Sequence, residues 1–233
     1  MEQSFPLKII AEIRSDFPTK FGIPRQSGLV PELEATVVFR PEYRIPEALR
    51  GIEGYSHLWL LWEFSETRRE GWRPTVRPPR LGGNRRVGVF ASRSPFRPNP
   101  IGLSCVRLLG VEQHPQWGTV LHVAGADLMD GTPLYDIKPY LPHADCRPEA
   151  TGGYSAEGLA HTVAVVIPPE WEAQIPPRHR AALRAVLAQD PRPAYQQDAG
   201  RVYGFCYAGL EVRFTVEGGV LTVCGVFSTN AEK

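Results

Sequence analysis

Leu103 to Ala126 reads LSCVRLLGVEQHPQWGTVLHVAGA. Its two ends, Leu103–Val111 and Val120–Ala126, are rich in Val and Leu, and Pro115 and Gly118 punctuate the middle. That is the composition of two strands joined by a turn. Four upstream runs fit the same description: Lys8–Ile13, Glu34–Phe39, Leu58–Phe64 and Arg86–Ala91. Many short strands with Gly/Pro-rich connections indicate a sandwich or a barrel. A single closed sheet is the expectation, because closure removes the unpaired edges that so many strands would otherwise leave. The fold class expected is mainly β: a single-sheet β-barrel over residues 1–150, followed by a small α+β unit over residues 151–233.

The second unit is read from its punctuation. His143 to Gly158, HADCRPEATGGYSAEG, has little apolar content and is expected to be a linker or surface loop. Thr162–Ile167 reads as a strand stopped by Pro168 and Pro169. Pro177–Gln189 reads as a helix: Pro177 suits its first turn, Leu183, Val186 and Leu187 share a face, and Asp190-Pro191 ends it. Val202–Tyr207, Leu210–Glu217 and Val220–Phe227 form an antiparallel set, with Gly218-Gly219 as a two-residue hairpin signal.

Two segments flank the opening stretch. Gly88 to Ser104, GVFASRSPFRPNPIGLS, holds Arg93 and Arg97 among Pro95, Pro98 and Pro100. Proline fixes φ and removes a donor, so this run is a stiff loop presenting two guanidiniums. Asp127 to Tyr140, DLMDGTPLYDIKPY, reads as an acidic turn about Asp130-Gly131, with Asp136, Lys138 and Tyr140 following at once. A rigid basic loop facing an acidic turn suggests a polar, preorganised site. The spacing of Asp127, Asp130 and Asp136 does not match a calcium loop, and no His or Cys lies nearby to complete a zinc set, so no metal is expected.

The chain has 233 residues, 42% hydrophobic and 22% charged, with a net charge of +1. This is ordinary for a soluble globular protein and excludes a basic nucleic-acid binder by total charge. The distribution is uneven. Gly71 to Val111 contains eight arginines and no Asp, Glu or Lys. Guanidinium pairs bidentately with phosphate and stacks on bases, so an arginine-only block points to a local anion-binding face, with RNA as a candidate. Salt bridges to acids elsewhere are the alternative.

The four cysteines show no C-x-x-C spacing and read as thiols of a reduced, intracellular protein. No secretory pattern opens the chain and no apolar run is long enough for a bilayer, so a cytoplasmic location is expected. No G-x-G-x-x-G follows a strand, and there is no P-loop and no G-x-S-x-G elbow, which removes support for a Rossmann unit and for an α/β-type serine hydrolase. His57, at the edge of an apolar run, is read as a structural hydrogen-bonder.

Pro24-Arg25-Gln26, GYSHLWLLW at Gly54–Trp62, the Gly88–Ser104 loop and DLMDGTPLYDIKPY together resemble the TrmO/YaeB family, as does DPRPAY at Asp190–Tyr195. Those proteins are S-adenosylmethionine-dependent tRNA methyltransferases. The resemblance implies a β-barrel catalytic domain, a small C-terminal domain, and a homodimer with cofactor sites near its interface. It implies methyl transfer to N6 of N6-threonylcarbamoyladenosine, the modified base 3′ of the anticodon, with a threonine tRNA as the expected substrate. It places S-adenosylmethionine against Pro24, Arg25, Gln26, Ser65, Glu66, Arg93, Leu103 and the turn of Leu128, Met129, Asp130 and Gly131.

Two further expectations join the resemblance to the residues. The acceptor nitrogen is weakly nucleophilic, and a base taking its proton would assist. Asp136 is the expected base, with Lys138 or Tyr140 polarising the threonylcarbamoyl group and Asp127 as the competing candidate. Arg77, Arg80, Arg85, Arg86 and Arg97 are expected on the anticodon-loop backbone. Two alternatives stand beside this reading: a non-catalytic RNA-binding adaptor, and a methyltransferase of the same fold with another acceptor.

Overall fold

The computed structural model describes residues 5–67, 71–78, 85–156, 162–192, 198 and 200–229. Its first strands are β1 (Ala11–Arg14), β2 (Glu34–Phe39) and β3 (His57–Glu63). Two short strands, β4 (Thr75–Val76) and β5 (Val87–Gly88), pair only with each other. Then come β6 (Ile101–His114), β7 (Gly118–Ala124) and β8 (Pro133–Pro139). Six of these form a closed barrel in the order β1-β2-β7-β6-β3-β8, with β1 returning to pair β8 at Ala11 and Glu12.

Period-two patterning fills the barrel. Alternate residues of a strand face one side, and the inward ones here are branched or aromatic: Ile13, Val37, Phe39, Leu58, Leu60, Leu121 and Val123 are all buried. Six strands leave an interior that side chains occupy, so the barrel is a core and its chemistry lies at an end or on the outside.

The hairpin of the opening stretch is longer than its sequence suggests. β6 runs on to His114 and pairs with Gly118 across Pro115, Gln116 and Trp117. The His114 ring stacks on Trp117 at 4.3 Å, and its Nδ1 accepts from the N–H of Gln116 and of Trp117. Gly118 closes the turn at φ +66°, a conformation that disfavours any side chain.

Two expectations are corrected. Arg86–Ala91 is a strand only at Val87–Gly88, because the chain curls into a 3-10 turn over Val89–Ala91, where the Ser92 hydroxyl donates back to the Val89 carbonyl. DLMDGTPLYDIKPY is a turn only as far as Thr132. Its second half is β8, with prolines tolerated at the two strand ends. The Asp130 and Gly131 N–H groups bond to Phe17 O and Ile13 O, which anchors the turn to β1.

The C-terminal unit contains β9 (Ala164–Val166), β10 (Tyr203–Tyr207), β11 (Leu210–Glu217) and β12 (Val220–Ser228) in the order β10-β11-β12-β9. Short helices α1 (Pro142–Asp145) and α2 (Pro169–Glu172) precede α3 (Pro177–Ala188). As expected from sequence, α3 buries Leu183, Val186 and Leu187, and Gly218 and Gly219 both take positive φ between β11 and β12. Phe17, Val30 and Leu33 from the N-terminal segments share this core. Gly22, at φ +97°, lies so close to Phe205 that a Cβ would come within 2.4 Å of its ring.

The expected linker is tied down at its start. Asp145 accepts from the Trp59 indole N–H at 3.0 Å and the Leu141 N–H at 2.8 Å, and those donors hold its carboxyl below the usual carboxylate range.

Candidate active site

A cavity of about 510 Å3 opens at one end of the barrel, where β3 ends and β6 begins. Three loops complete it: 20–26 before β2, 92–97 before β6, and 127–132 after β7. Its apolar lining includes Trp62, Phe64, Ile101, Leu103, Leu128 and Met129. Its polar lining includes Arg25, Gln26, Glu63, Ser65, Glu66, Arg93, Arg97 and Asp127. A few hundred Å3, apolar walls and a small number of polar groups are the attributes of a cofactor-sized pocket.

Trp62 organises the wall. Its indole lies across β6 at Gly102, where an added Cβ would come within 2.2 Å of the ring. The indole N–H donates to Ser104 Oγ at 2.9 Å, and Ser104 donates in turn to Asp127 Oδ1 at 2.5 Å. Burial raises the Asp127 carboxyl above the usual range; the Ser104 hydrogen bond, its own and the Ser27 N–H, and the charge of Arg93 pull the other way. The cavity thus holds a half-buried carboxyl of raised proton affinity at the end of a hydrogen-bonded relay.

The proline-bearing loop is rigid for a reason beyond its prolines. Arg97 turns back and donates to the carbonyls of Ser92 and Ser94 at 2.8 and 3.4 Å. The Ser94 and Phe96 N–H groups donate to Ser92 Oγ and Ser94 Oγ, each at 3.3 Å. Arg93, on the same loop, donates to Gln26 Oε1 at 2.5 Å, bridging two of the cavity's loops. Arg25 reaches the C-terminal unit through the Arg192 carbonyl at 3.2 Å, and Arg192 is itself paired with Asp190 at 2.8 and 2.9 Å.

Most of the sequence-expected cofactor residues come together here. Pro24, Arg25, Gln26, Ser65, Glu66, Arg93, Leu103, Leu128 and Met129 all line the cavity. Asp130 and Gly131 do not; Asp130 Oδ1 instead accepts the Ser15 N–H at 3.1 Å.

The expected catalytic trio is elsewhere. Tyr135 is an extra residue in β8, opposite the step from Leu61 to Trp62 in β3. The bulge turns Leu134 and Ile137 to the core and leaves Asp136 and Lys138 outside, cross-strand from Leu61 and Trp59. Asp136 is ion-paired to Lys138 at 2.8 Å, and Tyr140 packs its ring against Trp59. Of the two carboxylates weighed, Asp127 lines the cavity and Asp136 does not.

The arginine block divides. Arg97 faces the first cavity and holds its own loop, so it is spent on structure. Arg77 and Arg86 line a second cavity of about 690 Å3, which borders the first through Gln26, Ser92 and Arg93. Arg85 is exposed beside it, and Arg80 lies outside the described residues. Sequence reasoning missed Trp62 and Gly102 as site residues. The signal was the abutment of two small residues, Gly102 and Ser104, on a bulky neighbouring strand, which becomes visible only with the strand register.

Two family models match this chain: the tRNA-methyltransferase O N-terminal domain over residues 12–146 and the TrmO C-terminal domain over residues 160–229. The chain belongs to the TrmO family. It is 45% identical over 221 residues to the tRNA (adenine(37)-N6)-methyltransferase of Escherichia coli K12, covering 91% of this chain and 94% of that one. A relative from Pseudomonas aeruginosa, 44% identical over 88% of this chain and 90% of its own length, carries S-adenosylmethionine-dependent methyltransferase in its name. A crystal structure of TrmO from the same organism superposes with a TM-score of 0.79 at 34% identity, covering 98% of this chain and 99% of that one.

Proposed function

We propose that this chain is an S-adenosylmethionine-dependent tRNA methyltransferase acting on N6 of the adenine 3′ of the anticodon. The acceptor is N6-threonylcarbamoyladenosine, carried by a threonine tRNA. The observation that carries the reading is the cavity at the barrel end, where Arg25 and Arg93 flank an apolar wall and a half-buried Asp127 of raised proton affinity. Its residues suit the cofactor: guanidiniums for its carboxylate, aromatic and thioether surface for its adenine, and acids near its sulfonium. Bound S-adenosylmethionine supplies an electrophilic methyl group.

The chain's own residues then orient and deprotonate. The clamped 92–97 loop and the Trp62–Gly102 contact fix the wall against which donor and acceptor must align, and alignment alone supplies a large share of such accelerations. Asp127 is the proton acceptor, since its raised affinity brings a carboxyl toward the working pH and it sits in the cavity itself. The division at residue 150 separates this catalytic unit from the C-terminal one. The enzyme works as a homodimer in the cytoplasm. Ile101, Leu103 and Leu109 expose an apolar row along the outer face of β6, which supports docking of a second subunit beside the cavity. Asp136, Lys138 and Tyr140 lie on β8 and just beyond it, and Asp136 and Lys138 share the outer side of the barrel with that row.

Labelled S-adenosylmethionine offered to two tRNA pools, one carrying N6-threonylcarbamoyladenosine and one lacking it, tests the reading. Label on the modified nucleoside only in the first pool is the expected result. No transfer with cofactor bound would assign a different acceptor, and no cofactor binding would leave the adaptor role.

A further inference from the structure

The second cavity differs from the first in its chemistry. Arg73, Arg77, Arg86 and Arg93 line it together with Phe96 and Tyr154, and none of its described lining residues is acidic. Arg73, Arg77 and Arg86 form no ion pair or side-chain hydrogen bond among the described residues. Guanidiniums gathered without a counter-charge repel one another, and a bound anion relieves that repulsion. The position limits what the anion is. Gln26, Ser92 and Arg93 border both cavities, so a group held in the second lies beside whatever reacts in the first. The wall between them is the loop that Arg97 and the serine hydroxyls hold rigid.

We infer that the second cavity receives the threonylcarbamoyl group of the acceptor base, its arginines binding the carboxylate, and thereby selects the modified adenine over the plain one. The inference rests on the acceptor proposed above. In that nucleoside four bonds separate N6 from the carboxylate carbon, a reach of roughly 5 Å by standard bond lengths. A nitrogen presented to the first cavity beside the shared residues Gln26, Ser92 and Arg93 would carry its carboxylate far enough to reach across one side chain toward the second. Thr75 and Ser94 place hydroxyls in the same lining, where the threonine hydroxyl would meet partners. A site built around an anion rejects the neutral analogue, because the guanidiniums then go unpaired.

The test titrates the full chain with three anticodon stem-loops: one bearing N6-threonylcarbamoyladenosine, one bearing its neutral carboxamide, and one unmodified. Wild type binds the acid about tenfold or more tighter than the other two. An Arg77→Ala/Arg86→Ala double variant binds all three alike. Equal affinity of wild type for acid and amide overturns the inference. So does a variant whose affinity falls by the same factor for all three, which assigns these arginines to RNA phosphates. The wild-type comparison needs no variant to fold. Binding is read apart from methyl transfer: a chain that prefers the acid but transfers no methyl to it overturns the proposed reaction and leaves the carboxylate site in place.

Discussion

Gly102 and Trp62 decide the shape of the barrel-end cavity, because a glycine on β6 is what lets an indole lie flat against that strand. A methyl group at position 102 would occupy space already held by the ring. Gly102→Ala is expected to displace the indole, break its hydrogen bond to Ser104 and lower affinity for S-adenosylmethionine at least about tenfold, as overpacking displacements of this kind commonly cost 1–3 kcal/mol. Calorimetric titration with the cofactor measures it, and an unchanged Kd would remove the contact from the account. Asp127 makes a second prediction at this scale. Its folded-state carboxyl is raised, so the folded chain binds more protons than the unfolded chain between the ordinary carboxylate pKa and the raised one. Stability contributed by this group therefore falls as pH rises through that window. Asp127→Asn is expected to melt higher than wild type at neutral pH, with the gap closing in acid, and to lose most of its methyl transfer. Melting curves at two pH values would show a constant gap if the carboxyl were an unperturbed bystander.

At the level of elements, the proline-bearing loop and the bulged β8 show what the sequence conveyed and what it withheld. The stiffness of Gly88–Ser104 was legible from Pro95, Pro98 and Pro100. The role of Arg97 was not, because a charged residue in a basic block reads as a ligand contact until its carbonyl acceptors on Ser92 and Ser94 are seen. Arg97→Ala is accordingly expected to raise KM for the cofactor several-fold while leaving the salt dependence of tRNA binding unchanged; a shallower salt slope would return Arg97 to the RNA. The strands of the mainly β fold were readable from Val/Leu runs and Gly/Pro punctuation, and α3 from its single apolar face. β8 was not: Asp130-Gly131 and the two prolines marked a turn, and the extra Tyr135 that faces Asp136 outward has no signature in one strand read alone. That Pro24–Gln26 and positions 127–129 meet at one cavity was anticipated only through family resemblance, for nothing in their own composition joins them.

Across the whole molecule, basic charge without acids is concentrated in the stretch 71–111, which supplies most of the second cavity's lining, while the net charge stays near neutral. Binding of tRNA should then weaken steeply with added salt, and each guanidinium removed from a phosphate contact should flatten the slope by about 0.7 for single-stranded RNA. Fluorescence titrations at several salt concentrations read this directly, and a flat profile would mean that the arginines serve the fold. The C-terminal unit enters the same arrangement through Asp16, whose carboxylate lies 3.2 Å from His179 Nδ1 on α3 and whose carbonyl accepts the Ala208 N–H.

The partition made by Gln26, Ser92 and Arg93 belongs to both chambers at once, and thermodynamic linkage follows from that. Any factor by which an occupant of one chamber changes affinity in the other must act equally in the reverse direction. If occupancy of one chamber tightens binding in the other through this partition, departure of either occupant loosens the other by that same factor.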